Sequence, residues 1–206
     1  PKRAMGPSTQ FRVLFSKRTG GGGSMFGRYQ LVSELARGAM GIVYRAFDPD
    51  LKRTVALKVM LQSEETGEEQ KARFQREALL AARLHHPNIV QVYDVGEAEG
   101  RLFYTMQFIE GSSLQHILNS MGRIPLRVAV MLVRDAARAL HYAHENKVLH
   151  RDIKPANLLI TTVGARPGKG KRGKTAGDST LQIIGVRTSE YRVLVSDFGI
   201  AKDTTA

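Results

Sequence analysis

The sequence predicts an α+β architecture in which a sheet-rich first half leads into a helical second half. Three observations carry this. From Arg28 to Met60, short runs rich in β-branched and aromatic residues flank a glycine-containing turn. From Leu114 onward, apolar residues recur at helical spacing. No repeat of fixed period divides the 206 residues, which are enough for one full domain or two small lobes with real cores.

The strands come first. Tyr29 to Leu35 and Ile42 to Phe47 bracket the turn, and Thr54 to Met60 forms a third strand. In that third strand Val55, Leu57 and Val59 share one face, leaving Ala56 and Lys58 on the other. A helix is expected from about Glu68 to Leu84. Two further strands lie near Ile89 to Gly96 and Leu102 to Phe108. The remainder reads as a short helix from Leu114 to Asn119 and a long one from Pro125 to about Glu145. Proline suits the first turn of that helix, and Val128, Leu132, Ala136, Ala139, Leu140 and Ala143 make its apolar face. Leu158–Thr161 and Arg192–Ser196 are expected to pair as two late strands. The joint between the halves falls near Phe108 to Ser113, and a cleft there is a natural ligand site.

The net charge of +12 is concentrated in two places. Residues 1–24 carry five cations and no acid. Residues 161–193 carry seven cations against Asp178 and Glu190. The basicity therefore belongs to appendages, which disfavours direct nucleic-acid binding and leaves an acidic partner for the insert at about 162–190 as an expectation. Gly20-Gly21-Gly22-Gly23-Ser24 reads as a linker, residues 1–24 as a basic flexible tail, and Met25 as a candidate natural start. The most apolar window, Val128 to Ala143, is broken by Arg134, Asp135 and Arg138, so no membrane span is expected. Cysteine is absent, which excludes disulfides and thiolate metal sites and fits a reducing, cytoplasmic setting.

The chemistry concentrates in His150-Arg151-Asp152-Ile153-Lys154-Pro155-Ala156-Asn157 and, forty positions after Asn157, in Asp197-Phe198-Gly199. An acid, a lysine and an amide in one short loop, with a second acid on another, can hold a metal-bound triphosphate and orient a hydroxyl toward it. Between the first two long strands, Ala36-Arg37-Gly38-Ala39-Met40-Gly41-Ile42-Val43 could let backbone amides approach phosphates, although an ordinary hairpin turn would look the same. Lys58 lies on the cleft face; the bland alternative is a solvated edge lysine. On the Glu68–Leu84 helix, Phe74, Glu77, Ala81 and Leu84 share a stripe, so Glu77 needs a partner, and Lys58 is the obvious one. His141 and His144 lie three apart on the long helix, but without a third matching ligand they read as packing residues.

These motifs resemble those of eukaryotic-like Ser/Thr protein kinases of the bacterial type. The resemblance runs from Arg28 to the C-terminus and implies a kinase-like fold: a β-rich N-lobe over 25–108, then a hinge and partial, helical C-lobe over 109–206. It implies that Asp152 orients the substrate hydroxyl, Lys154 steadies the transferring phosphoryl group, and Asn157 and Asp197 hold Mg2+. Lys58, paired with Glu77, would hold the phosphates of ATP beneath a turn built on Ala36, Gly38 and Gly41. Gln107 and Ile109 would offer backbone groups to adenine, with Met106 behind it, Val43 and Ala56 above and Leu159 below. A lysine two residues after the catalytic acid resembles Ser/Thr rather than tyrosine kinases. Arg151 resembles the arginine that pairs with an activation-segment phosphate, and Thr204 and Thr205 are candidate targets.

Three departures qualify the resemblance. Ala36 replaces a glycine of the phosphate turn. The connection from Asn157 to Asp197 is far longer than a two-strand hairpin needs, its excess centring on Gly164 to Arg187. The chain also stops soon after Asp197-Phe198-Gly199, so the Pro125–Glu145 helix is expected to expose apolar surface and the isolated chain to be weakly active or inactive. The rival is a non-catalytic nucleotide-binding or interaction module, a truncated pseudokinase.

Overall fold

A computed structural model describes residues 24–38, 41–61, 68–162 and 191–198. The basic tail, Ala39 and Met40 of the glycine turn, most of the insert, Gly199, Thr204 and Thr205 lie outside the described residues.

Six strands form the larger sheet: β1 (Met25–Phe26), β2 (Tyr29–Gly38), β3 (Gly41–Asp48), β4 (Arg53–Met60), β5 (Val92–Ala98) and β6 (Arg101–Gln107). Their order is β1-β2-β3-β4-β6-β5, and every pairing is antiparallel. The alternation read from the sequence decides what each face buries. Val55, Leu57 and Val59 are almost fully buried with Phe26, Tyr29, Leu31, Ile42, Tyr44 and Phe103 in a cluster on the outer face. Ala56, Tyr104 and Met106 turn to the opposite face and join the main core. Gly41 is required where β3 meets β4, because a Cβ there would lie 2.5 Å from the Val59 carbonyl oxygen.

Helix α1 (Glu68–Ala82) covers that inner face with Phe74, Ala78 and Ala81. After it, Asn88 ties the two halves together. Its side-chain amide donates to the Val193 carbonyl at 2.7 Å, while the Val90 and Val195 amides donate across to Val195 and Asn88. The second sheet is small, in the order β7-β8-β9: β7 (Ser112–Ser113), β8 (Leu158–Thr162) and β9 (Tyr191–Val195). The late pair forms antiparallel, as the sequence predicts, across the insert. The seryl pair of β7 has no sequence signature of a strand. Gly111, just before it, passes so close to β8 that a Cβ would sit 2.1 Å from the Ile160 carbonyl oxygen.

Beneath this sheet lie α2 (Leu114–Met121), capped by the Ser113 hydroxyl, and α3 (Leu126–Glu145). The small residues Ala136, Ala139 and Ala143 of α3 let it approach β9 closely, and Val193 and Val195 are fully enclosed. Pro125 sits one step earlier than expected, as the cap with ψ of 139°, since its preset φ serves the turn into the helix. The other flank of α3 presents Val130 and Val133, more than half exposed. No helix among the described residues is long and apolar enough to cross a membrane.

Candidate active site

The loop from His150 to Asn157 is held by its own polar side chains. The Asp152 amide donates to His150 Nδ1 at 3.2 Å, so the imidazole proton resides on Nε2, which donates to the Ser196 carbonyl at 2.8 Å. Burial lowers the His150 pKa and keeps the ring neutral. Phe198 closes over it with ring centroids 4.6 Å apart. Asn157, also buried, donates through Nδ2 to the Asp152 carbonyl at 2.9 Å and to Asp152 Oδ2 at 3.2 Å. The Ser196 amide and hydroxyl in turn donate to the Asn157 carbonyl. These bonds stitch the loop to the end of β9, fixing Asp152, Asn157 and Asp197 relative to one another. Lys154 Nζ lies 2.8 Å from Asp152 Oδ2, on the exposed side.

The loop also stores backbone strain. Arg151 and Asp197 both have φ of +60°, a left-handed conformation unusual for residues with a Cβ. Asp197 meets Lys58 and Tyr104 of the larger sheet, and Arg151 meets Glu77 of α1.

From that sheet β4 contributes Lys58. Its ammonium lies 2.8 Å from Asp197 Oδ1, an ion pair joining residues 139 apart in sequence. The Tyr104 hydroxyl, from the neighbouring strand, donates to the same oxygen at 2.5 Å. Burial alone would raise the Asp197 pKa, but the Lys58 charge and the two hydrogen bonds outweigh it and hold the carboxyl below its ordinary value. Burial, reinforced by the neighbouring carboxylate, pushes the Tyr104 phenol well above its usual range.

The expected Lys58–Glu77 pair is replaced by other contacts, a correction to the sequence reading. Glu77 Oε1 instead meets Arg151 Nη1 at 3.2 Å and Arg73 Nε at 3.4 Å. The physical reason is competition: Glu77 has two guanidinium partners from α1 and the loop, while Asp197 offers Lys58 a carboxylate at 2.8 Å. Sequence spacing puts Glu77 on the inner stripe of α1 but cannot rank three cations against two acids.

Around this polar centre, Val43, Ile109 and Leu159 are partly buried against the same core that contains Ala56 and Met106. The Gln107 amide donates to the Gln91 carbonyl at 2.8 Å, so a backbone donor offered at this joint has to come from Ile109. Ala36 and Gly38 pair with Val43 and Gly41 at the open end of β2 and β3, where Ala36 is exposed. The donors suit a hard cation. Asn157 Nδ2 is engaged, leaving its Oδ1; Asp197 Oδ1 is engaged, leaving its Oδ2. Two oxygens match the small protein share that Mg2+ takes when phosphates supply the rest. No group of three or more His, Asp or Glu among the described residues forms a ready cage, and His141 Nε2 faces Glu145 at 3.4 Å.

Comparison with known proteins agrees with this geometry. The model of the protein kinase domain matches residues 29–206. This chain belongs to the protein kinase family. Among its relatives is serine/threonine-protein kinase PknJ of Mycobacterium tuberculosis, 41% identical over 180 residues, covering 87% of this chain and 26% of PknJ. Serine/threonine-protein kinase PknD of the same organism is 46% identical over 139 residues, covering 68% of this chain and 21% of PknD. The kinase chain thus spans about a quarter of the length of these relatives. The crystal structure of the Mycobacterium tuberculosis PknI kinase domain superposes with a TM-score of 0.65 at 34% identity, covering 88% of this chain and 64% of that one. The kinase fold, with its β-rich N-lobe and part of the domain beyond it, is therefore the fold of this chain.

Tyr104 and the Arg151–Glu77 contact are the features that sequence reasoning missed. Tyr104 had a usable signal: it stands opposite Lys58 in the β4–β6 register and shares its face with Met106.

Proposed function

We propose that the protein containing this chain is a Ser/Thr protein kinase that transfers the γ-phosphoryl group of Mg-ATP to serine or threonine hydroxyls of proteins. The carrying observation is the 2.8 Å contact between Lys58 and Asp197, which brings the phosphate-binding candidate of one lobe onto the metal-binding candidate of the other. In this reading residues 25–108 and 109–206 are the two lobes. Adenine lies between Val43 and Ala56 on one side and Leu159 on the other, beside Met106, with Gln107 and Ile109 supplying backbone groups. Ala36, Gly38 and Gly41 border the phosphates.

Asn157 and Asp197 would hold Mg2+, which offsets the charge of the phosphates and of the transferring group. Asp152 accepts or orients the proton of the attacking hydroxyl. Lys154, already beside Asp152, places a positive charge where the transferred group passes. Lys58 steadies the α- and β-phosphates. For that it exchanges Asp197 for ATP and Glu77, and Glu77 leaves Arg151.

The second reading is a module that binds nucleotide without turnover, and the diversion of Glu77 to Arg151 favours it for the isolated chain. We expect this chain alone to be weakly active or inactive. A cytoplasmic setting is supported by the absence of cysteine, and an acidic partner for the basic insert by its charge.

A phosphotransfer assay with a basic acceptor protein tests the reading in a chain extended through the rest of the kinase domain. Turnover should fall about 10²- to 10⁴-fold in Asp152→Asn. Mg-ATP should raise the melting temperature of the present chain without turnover. Unchanged turnover in Asp152→Asn would refute the assigned role, and no stabilisation by Mg-ATP would refute nucleotide binding.

A further inference from the structure

We propose that Tyr104 is a positioning residue for the metal: its hydroxyl, with the Lys58 ammonium, pins one oxygen of Asp197 so that the other faces the nucleotide cleft.

The inference rests on the kinase reading of Asp197 and deepens it. Tyr104 is 1% exposed, in the middle of β6, and its ring packs 6.1 Å from Phe74 of α1. A buried phenol needs a partner, and this one reaches out of an otherwise apolar core to the carboxylate alone. Both donors converge on Oδ1, at 2.5 Å and 2.8 Å. Lys58 Nζ also lies 5.7 Å from the Tyr104 ring centroid, so phenol and ammonium brace each other.

The two donors are not equivalent. Lys58 is a long, rotatable side chain that the proposed reaction draws toward phosphate and Glu77. Tyr104 is fixed by a strand and by packing, and it stays when Lys58 moves. The hydroxyl would then be the permanent anchor of a carboxylate whose own backbone is strained, at φ of +60°. Ligating carboxylates are commonly oriented by such outer partners, and losing one typically weakens metal binding about 10- to 100-fold.

The test is a Mn2+ titration, followed by electron paramagnetic resonance, of the present chain saturated with a non-hydrolysable ATP analogue. In Tyr104→Phe, Mn2+ affinity should fall about 10-fold, while affinity for the analogue without metal stays within about twofold. In an Asp197→Asn background the same substitution should leave Mn2+ affinity unaltered, because the anchored oxygen pair is gone. A folded Tyr104→Phe with wild-type Mn2+ affinity overturns the proposal. So does a parallel loss of metal and metal-free nucleotide, which would mark a merely structural hydroxyl, as would failure of Tyr104→Phe to fold. If the wild-type chain saturated with analogue takes up no Mn2+, the kinase reading of Asp197 falls and this proposal with it.

Discussion

The two sides of the cleft hold their polar side chains in different ways. On the C-terminal side, His150, Asn157 and Ser196 are buried and bonded largely to backbone groups, so the loop carrying Asp152 has one arrangement. On the N-terminal side, Glu77 and Lys58 are held by ion pairs that can be exchanged without breaking any backbone bond. The difference teaches that the chemistry-bearing loop is prebuilt, whereas the phosphate-binding side is a choice among partners set by where α1 sits.

The largest expected effect comes from removing the shorter of the two ion pairs described across the cleft, Lys58 with Asp197. Lys58→Met leaves the Asp197 carboxylate buried beside an apolar chain, costing about 3 kcal/mol, measured by urea denaturation at neutral pH. Its pH dependence sharpens the point. In the wild type the Asp197 pKa is depressed, so its contribution to stability is present above the unfolded value of about 3.9 and lost as pH falls through the lower folded value. Without Lys58, burial dominates and the acid-side loss should begin at higher pH. Equal stability of the two proteins from neutral pH to about pH 4 would show that the contact carries no energy.

The fold was legible in the sequence where a periodicity met a single environment. Val55, Leu57 and Val59 alternate, and α3 repeats Val128, Leu132, Ala136, Ala139 and Ala143 on one side, so burial could be read directly. The set Lys58, Asp152, Lys154, Asn157 and Asp197 stands out in the sequence because its motifs are compact, and the structure sets Lys58 against Asp197 and both Lys154 and Asn157 against Asp152. Their pairings were not legible. Whether Lys58 takes Glu77 or Asp197 depends on the placement of α1 and on the strength of competing guanidinium groups, which no local pattern encodes. Tyr104 was missed because a tyrosine in a strand pattern reads as core, and only the fold shows its hydroxyl reaching Asp197. The Ser112–Ser113 strand was missed because it is imposed by its partner β8.

A middle-sized effect probes the prebuilt side. His150→Phe keeps a ring against Phe198 but strands the Ser196 carbonyl and the Asp152 amide, which should cost about 2 kcal/mol by chemical denaturation. Because the folded pKa of His150 lies below its unfolded value of about 6.5, the wild type loses stability as pH falls from there toward the folded value. The variant should lack that slope. A wild-type profile flat between about pH 6.5 and 5 would contradict a buried neutral imidazole.

The smallest effect belongs to the exchangeable side. Arg151 and Glu77 meet in a partly exposed setting, so Arg151→Ala should change stability by only about 0.5 kcal/mol. A double-mutant cycle with Glu77→Gln should return a coupling of similar size, well below that of Lys58 with Asp197. Coupling energies in the reverse order would make Arg151 with Glu77 the stronger link across the cleft and contradict the ranking of the two exchangeable pairs.

Calorimetric titration of a non-hydrolysable ATP analogue, with and without Mg2+, into the wild type and Asp197→Asn tests most directly whether these side chains serve one nucleotide. The wild type should bind one analogue per chain, at least about tenfold more tightly with Mg2+, and Asp197→Asn should lose that Mg2+ dependence while still binding the analogue. No binding to the wild type, or equal Mg2+ dependence in both proteins, would contradict a shared site between the lobes.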